Sequence, residues 1–161
     1  MSGIIYIWLV AAVVALVVTL TGRGEDPPVE PVALPELTPL RTLYGHEGAV
    51  HDVLVHPDGE RLFSAAGENT IGVWDLETGT LEARLPGHED SVRSLLCLKD
   101  GKTLLSSSDD TTIRMWDLDT KKTTKVLRGH DMKVRSLQLA PDESWFVSAS
   151  KDGTLKLWDL P

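Results

Sequence analysis

The pattern of apolar and polar residues divides this chain into three parts. Residues 4–20 are almost wholly apolar, with Thr19 as the one polar residue, and the first 22 residues carry no charge. Residues 22–39 contain five prolines and four acidic residues. From residue 40 onwards, short runs of alternating apolar residues are separated by Gly, Pro and Asp, which is typical of β strands joined by tight turns. The pattern therefore predicts an apolar helix, a spacer and a β domain.

The apolar segment is long enough to cross a lipid bilayer. About 20 helical residues at about 1.5 Å each span about 30 Å, the thickness of the hydrocarbon core. Tyr6 and Trp8 lie near one end, where amphipathic rings favour the membrane interface. The alternative is a cleaved signal peptide, but no Lys or Arg precedes the apolar run and no A-x-A cleavage site precedes Gly22. We therefore expect a single-pass transmembrane helix over residues 1–21.

The residues that follow the apolar segment set the orientation and the standoff of the β domain. Arg23 lies directly beyond the segment and no basic residue precedes it, so the positive-inside rule favours a cytoplasmic β domain. Since this rests on one arginine, a periplasmic or other extracytoplasmic domain is the alternative. The prolines of residues 22–39 exclude a helix or a central strand. We expect an acidic linker of up to about 55 Å, at about 3.1 Å per residue.

Residues 40–161 contain three units with the same order of strands and turns. Apolar residues alternate within each unit, and Asp-Gly or Pro-Asp turns separate the strands. The predicted strands are Val50–Val55, Arg61–Ala65 and Thr70–Trp74 in unit one; Ser91–Leu98, Thr103–Ser108, Thr112–Trp116 and Thr123–Leu127 in unit two; and Val134–Leu139, Trp145–Ser150 and Thr154–Trp158 in unit three. Residues 41–44 match the fourth strand of a unit, whereas unit three stops after its third strand.

Two residue pairs recur at a fixed spacing of 42 residues. They are Gly45-His46 with Trp74-Asp75, Gly87-His88 with Trp116-Asp117, and Gly129-His130 with Trp158-Asp159. A period of about 40 to 45 residues is typical of the four-stranded blades of a β-propeller. Units two and three also share Ser-x-Ser-x-Asp-x-Thr-φ-x-φ-Trp-Asp, where φ is apolar. The units resemble WD40 repeats, and this resemblance implies an all-β partial propeller of four-stranded blades that binds proteins, generally without catalysis.

The resemblance also implies a hydrogen-bonded structural network in each blade, formed by a histidine, a serine, a turn acid and a tryptophan. Its members are His46, Ser64 and Trp74; His88, Ser106, Asp110 and Trp116; and His130, Ser148, Asp152 and Trp158. We place the serine at the first of two positions because unit one keeps Ser64 there but has Ala66 at the second. Unit one has Glu68 as its turn acid. We expect its extra methylene to weaken the contact with His46 and to make this blade the least stable.

The sequence predicts no catalytic residue, no cofactor and no metal site. Ser, His and Asp recur once per blade, whereas a catalytic triad needs one exposed nucleophile beside an oxyanion hole. One histidine per blade is too widely spaced to hold a metal. His56 is expected to be exposed and Cys97 to be a small core residue. The net charge of −8 and the absence of a basic stripe argue against nucleic-acid binding.

Positions that vary while the repeat frame stays fixed are candidates for partner binding. The resemblance places them on the narrow top face of the propeller, around its channel, with Lys133 nearby. The candidates are His51, Arg93, Arg135, Asp109 and Lys151. Arginine at such sites suits a carboxylate or backbone carbonyl of a protein partner, and a solvated rim is the alternative.

Three blades are fewer than the four to eight that close a propeller ring. Two copies of the chain would give six blades and three copies would give nine. The alternatives are a different protein docked on the open faces and a shortened relic with no stable fold. The sequence therefore predicts a membrane-anchored WD40 scaffold for protein–protein interaction, an accessory subunit of a membrane complex. The alternatives are a purely structural buttress that docks through its open blade edges, and an enzyme with a site in the channel.

Overall fold

The structure, a computed structural model, describes residues 38–160. The predicted transmembrane helix over residues 1–21 and the linker, apart from residues 38 and 39, lie outside the described residues. Across residues 38–160, no helix has the length and apolar character that a membrane span requires.

Residues 38–160 fold into three antiparallel sheets. The strands are β1 Val50–Val55, β2 Arg61–Ala66, β3 Ile71–Asp75, β4 Leu81–Leu85, β5 Val92–Cys97, β6 Thr103–Ser108, β7 Ile113–Asp117, β8 Lys122–Leu127, β9 Val134–Leu139, β10 Trp145–Ser150 and β11 Leu155–Asp159. Sheet one has the order β1-β2-β3-β4, sheet two β5-β6-β7-β8, and sheet three β9-β10-β11. The predicted all-β blades are confirmed.

Several details of the strands differ from the prediction: β2 ends one residue late, β5 is one residue shorter at each end, and β8 starts one residue early. The third strand of each unit starts and ends one residue late. In units two and three, the threonine before it turns towards the turn acid; the backbone N–H of Thr112, for example, donates to Asp110 Oδ1 at 2.9 Å. Residues 41–44 do not form a strand. Instead, Arg41 Nη1 donates to the carbonyl oxygen of Glu77 at 2.8 Å, beside the β3–β4 turn.

Two apolar layers join the three sheets. Phe63, Ile71 and Val73 of sheet one pack with Val92 and Leu95 of sheet two. The second layer repeats this arrangement 42 residues later: Leu105, Ile113 and Met115 of sheet two pack with Val134 and Leu137 of sheet three. β1 contacts β5 and β5 contacts β9, so the first strands of the three sheets lie next to one another along one side of the stack. The sheets therefore stack as neighbouring blades.

Polar contacts between neighbouring sheets reinforce these layers. The backbone N–H of Leu95 donates to Asp52 Oδ2 at 2.8 Å, and the N–H of Leu137 donates to Ser94 Oγ at 3.3 Å, one blade further on. His56 was expected to be exposed, but it is buried. Its Nε2 donates to the carbonyl oxygen of Gly101 at 2.8 Å, which fixes the turn of sheet one against that of sheet two.

Candidate functional site

A directional chain of hydrogen bonds runs through sheet two. Trp116 Nε1 donates to Ser106 Oγ at 2.8 Å, and Ser106 Oγ lies 2.7 Å from His88 Nε2. His88 Nδ1 lies 2.7 Å from Asp110 Oδ2. Since an indole N–H can only donate and a carboxylate can only accept, the serine hydroxyl donates to Nε2 and the histidine donates through Nδ1. Every polar side-chain atom in this series of hydrogen bonds is thereby paired in a buried setting.

Sheet three repeats this series of hydrogen bonds with nearly identical geometry. Ser148 Oγ accepts from Trp158 Nε1 at 2.8 Å and lies 2.7 Å from His130 Nε2, and His130 Nδ1 lies 2.7 Å from Asp152 Oδ2. The first serine position is thus the network member in each sheet. The serine at the second position has a different partner: Ser108 Oγ donates to the carbonyl oxygen of Asp90 at 2.9 Å and so ties down the loop before β5.

Sheet one forms the same network with a longer acid. Glu68 contacts His46 Nδ1 directly, so the extra methylene does not prevent this contact, and the lower stability of this blade remains a prediction. Its Oε2 accepts from the backbone N–H of Gly48 at 3.1 Å, whereas Asp110 accepts from the residue directly after its histidine, Glu89. The longer side chain therefore moves the loop contact one residue along. Arg84 Nη1 also donates to Glu68 Oε1, at 2.9 Å.

The absence of a side chain at Gly72 makes room for this arrangement. A Cβ atom there would lie 2.7 Å from both Ser64 Oγ and Trp74 Nε1. Sheet two has Arg114 at the equivalent position. The ring centroids of His46 and Trp74 are 5.4 Å apart, compared with 6.1 Å for the equivalent pair in sheet two. The network of sheet one is consequently more compact.

A second constellation, the basic cluster, lies where β5 and β9 begin. Its cations are Arg93, Lys133 and Arg135, gathered around Asp109. Arg93 Nη2 donates to Asp109 Oδ2 at 2.5 Å, and Lys133 Nζ donates to the same oxygen at 2.8 Å. Arg135 Nη1 lies 3.5 Å from Asp109 Oδ1. The Asp109 side chain is 1% exposed, whereas those of Arg93, Lys133 and Arg135 are 21%, 39% and 44% exposed, so a buried carboxylate holds cations that are partly open to solvent.

The electrostatics of the cluster follow from this geometry. Burial by itself would raise the pKa of Asp109, but the hydrogen bonds from Arg93 and Lys133 outweigh it and lower the pKa to about 2. The carboxylate is therefore charged at neutral pH. Arg93 Nη1 lies 3.0 Å from His51 Nε2, and partial desolvation together with the Arg93 charge lowers the pKa of His51. Three cations and one buried anion leave an excess of positive charge.

Four of the five predicted partner-binding candidates thus lie together: His51, Arg93, Asp109 and Arg135. Lys151 is exposed, and its backbone N–H donates to the carbonyl oxygen of Lys133 at 2.9 Å. The resemblance to WD40 repeats placed Lys133 near these candidates, but its direct contact with Asp109 depends on how sheet three stacks on sheet two. In residues 38–160, no group of three His, Cys, Asp or Glu side chains is arranged to hold a metal ion.

Comparisons with known proteins relate all three units to one family. A model of the WD domain, G-beta repeat, matches residues 37–75, 79–117 and 121–159. The chain is 46% identical over 37 residues to "Nuclear distribution protein nudF 2" of Talaromyces marneffei, which is 23% of this chain and 8% of that protein. It is 39% identical over 67 residues to "Nuclear distribution protein PAC1-1" of Uncinocarpus reesii, or 42% of this chain and 15% of that protein.

A third relative carries a different name. The chain is 32% identical over 74 residues to "Pre-mRNA-splicing factor prp46" of Emericella nidulans, which is 38% of this chain and 16% of that protein. The chain thus spans less than a fifth of the length of each of these three relatives.

Proposed function

This chain belongs to the WD40 repeat family, and we propose that it is a protein-interaction scaffold whose basic cluster binds an acidic segment of a partner protein. WD40 repeats indicate protein partners. The observation that carries the finer proposal is the gathering of Arg93, Lys133 and Arg135 around one buried carboxylate, in a chain whose net charge is −8.

The cluster has the chemistry that carboxylate recognition requires. A guanidinium group can offer two parallel N–H donors to one carboxylate, and Arg135 is exposed enough to do so. Asp109 holds the cations in place before a partner arrives, which reduces the conformational entropy lost on binding. Asp90 Oδ2 lies 4.0 Å from Lys133 Nζ and only partly offsets the positive charge, because this salt bridge is half exposed.

Replacing both arginines tests this function. We expect the full-length chain to bind a fluorescent glutamate-rich decapeptide, and Arg93→Ala/Arg135→Ala to weaken binding at least tenfold because two of the three cations of the cluster are lost. Fluorescence polarisation at two salt concentrations measures the affinity, which should fall as salt screens the charges. The matched control is Lys125→Ala, which removes an exposed cation from β8, away from the cluster. Equal binding by the double variant and the wild type would contradict the proposal.

We propose no catalytic role for the repeated Ser, His and acid residues. The Ser106 hydroxyl is fully buried and already accepts a hydrogen bond from Trp116. A nucleophile has to reach its substrate, and this hydroxyl lies inside a sheet layer. The same holds for Ser148, which is also fully buried.

We further propose that residues 1–21 anchor the scaffold to a membrane, with the WD40 domain on the cytoplasmic side as an accessory subunit of a membrane complex. The support is the uncharged apolar segment and Arg23 that follows it. Extraction of cell membranes with alkaline carbonate checks the anchor: the full chain is expected to stay in the pellet, and a chain that starts at residue 22 is expected to be released. Release of the full chain would contradict the anchor.

A structural buttress is the second candidate function, and the apolar residues exposed on sheets one and three favour it. In that case the partner contacts the sheet faces, and the arginine substitutions leave its binding unchanged. If the partner binds through the basic cluster instead, the same arginine substitutions abolish its binding.

A further inference from the structure

The two outermost faces of the stacked sheets are exposed copies of surfaces that are buried elsewhere in the molecule. Val92 and Val134 are 0% exposed because each packs against the preceding sheet, whereas Val50, at the equivalent position of sheet one, is 50% exposed. Ile71 is 0% exposed because sheet two covers it, whereas Leu155, at the equivalent position of sheet three, is 69% exposed. Each outer face therefore has the composition of one half of a blade–blade interface.

We define the first face as the exposed side of sheet one, with Val50, Val53 and Val55, and the last face as the exposed side of sheet three, with Leu155 and Leu157. All five side chains are at least half exposed. Exposed apolar patches of this kind on a soluble domain mark interaction surfaces. The contact between sheets two and three shows how two such faces fit together, since Ile113 and Met115 on one side pack with Val134 and Leu137 on the other.

The backbone at the last face is also incomplete. In sheets one and two, β4 and β8 pair with the third strand, with Leu85 opposite Ile71 and Leu127 opposite Ile113. Within residues 38–160, no strand pairs with the outer edge of β11. The segment equivalent to β4 and β8 is residues 41–44, which form no strand. The repeat would place Leu43 of that segment opposite Leu155.

A polar contact is available at the same junction. Leu95 N–H donates to Asp52, and Leu137 N–H donates to Ser94, so each sheet offers a side-chain acceptor to the backbone of the next. The next acceptor in the series is Ser136, which is exposed. In sheet one, the residue equivalent to Leu95 and Leu137 is Val53, so its backbone N–H is the donor that Ser136 would meet on a first face docked there.

We propose that a second copy of this chain docks head to tail, with its first face on the last face and its residues 41–44 alongside β11. The last face of the second copy then receives the first face of the original copy through an identical contact. Two copies thus form a closed ring of six blades with a twofold axis, which lies within the usual range of four to eight. Each of the two contacts then covers the free edge of β11 together with one first face and one last face. The proposal concerns the sheet faces and does not depend on binding at the basic cluster.

Light scattering after size exclusion, on the full-length chain in a mild detergent, tests the proposal through the mass of the protein component. We expect twice the mass of one chain for the wild type. Val53→Glu and Leu157→Glu should each give single chains, because both contacts of the ring then bury an unpaired charge. The two residues are 58% and 69% exposed in one copy, so neither variant should lose its own fold, and circular dichroism checks this. Val126→Glu, an exposed apolar position on β8, is the matched control and should remain a dimer.

Mixing the two variants tests the head-to-tail arrangement. A Leu157→Glu chain keeps an intact first face and a Val53→Glu chain keeps an intact last face, so a mixed pair regains one of the two contacts while both glutamates fall in the other. An equimolar mixture should therefore recover dimers, held by the one intact contact, that neither variant forms alone. Three results would overturn the proposal: a monomeric wild type, as expected if a different protein covers the faces; a dimer that persists in both variants; and an assembly larger than two copies. Failure of peptide binding at the basic cluster would leave these masses unchanged.

Discussion

At the scale of single residues, one repeated network explains why polar side chains are buried in this molecule. Ser106 accepts from Trp116 and pairs with His88, so its hydroxyl is both acceptor and donor. The adjacent Ser107 is equally buried, but its Oγ has no hydrogen-bond partner. Two neighbouring serines of equal burial, on opposite faces of β6, therefore differ in whether their hydroxyl is paired.

This pair of serines provides a controlled test of the network. Ser106→Ala leaves Trp116 Nε1 without an acceptor, and we expect it to lower the free energy of unfolding by about 1–3 kcal/mol. Ser107→Ala removes a hydroxyl that is already unpaired, so its effect should be close to zero or stabilising. Urea unfolding followed by tryptophan fluorescence measures both. An equal loss in the two variants would show that the hydrogen bonds do not decide the cost.

At the scale of structural elements, the turn between the second and third strand of each sheet is held by one acid. Asp110 accepts from Thr112 Oγ1 at 2.7 Å and from the backbone N–H of Glu89 at 3.0 Å, besides its contact with His88. Glu68 performs the same task through a longer reach and with the help of Arg84. The three turns therefore depend on charged carboxylates.

These turn acids predict how stability depends on pH. Burial would raise the pKa of Glu68, but hydrogen bonds from His46 and Arg84 lower it to about 2, and bonds from His88 and Thr112 likewise lower the pKa of Asp110 despite its burial. In the unfolded chain such groups titrate near pH 4. Because the unfolded state binds protons first, their stabilisation is complete above about pH 4 and is lost as pH falls towards the folded pKa values. The free energy of unfolding should therefore drop between about pH 4 and pH 2.

Urea unfolding at a series of pH values checks this expectation. Asp110→Asn is the matched variant, because it keeps the size of the side chain and removes its titration. Its unfolding free energy should depend less steeply on pH in the acid range than that of the wild type. Identical slopes for the two chains would mean that Asp110 does not contribute to acid sensitivity.

At the scale of the whole molecule, the repeat of 42 residues sets both the stability and the interactions of the described domain. Sheet two is covered on both faces, whereas sheets one and three are each covered on one. A repeat array gains stability from each interface between neighbours, so the outer sheets are the ones that gain from a further contact. The basic cluster depends on the same stacking, since Lys133 of the third unit reaches Asp109 of the second.

The sequence by itself determined the blades and the composition of their network. The spacing of the Gly-His and Trp-Asp pairs and the alternation of apolar residues are local properties. The strands predicted within the three units form with bounds that differ by one residue at most, whereas residues 41–44 form no strand. The first serine position, inferred from Ser64 and Ala66, is the position that bonds to histidine and tryptophan. The membrane anchor remains a prediction from the sequence, since residues 1–21 lie outside the described residues.

Only the tertiary structure decided the contacts between units. His56 is buried because the turn of the next sheet covers it, and the sequence around His56 carries no sign of that turn. Glu68 reaches His46 beside the space left at Gly72, on the neighbouring strand. The basic cluster forms because stacking brings Lys133 onto Asp109. These contacts join residues that are distant in the chain, and their geometry depends on backbone positions that a local pattern does not encode.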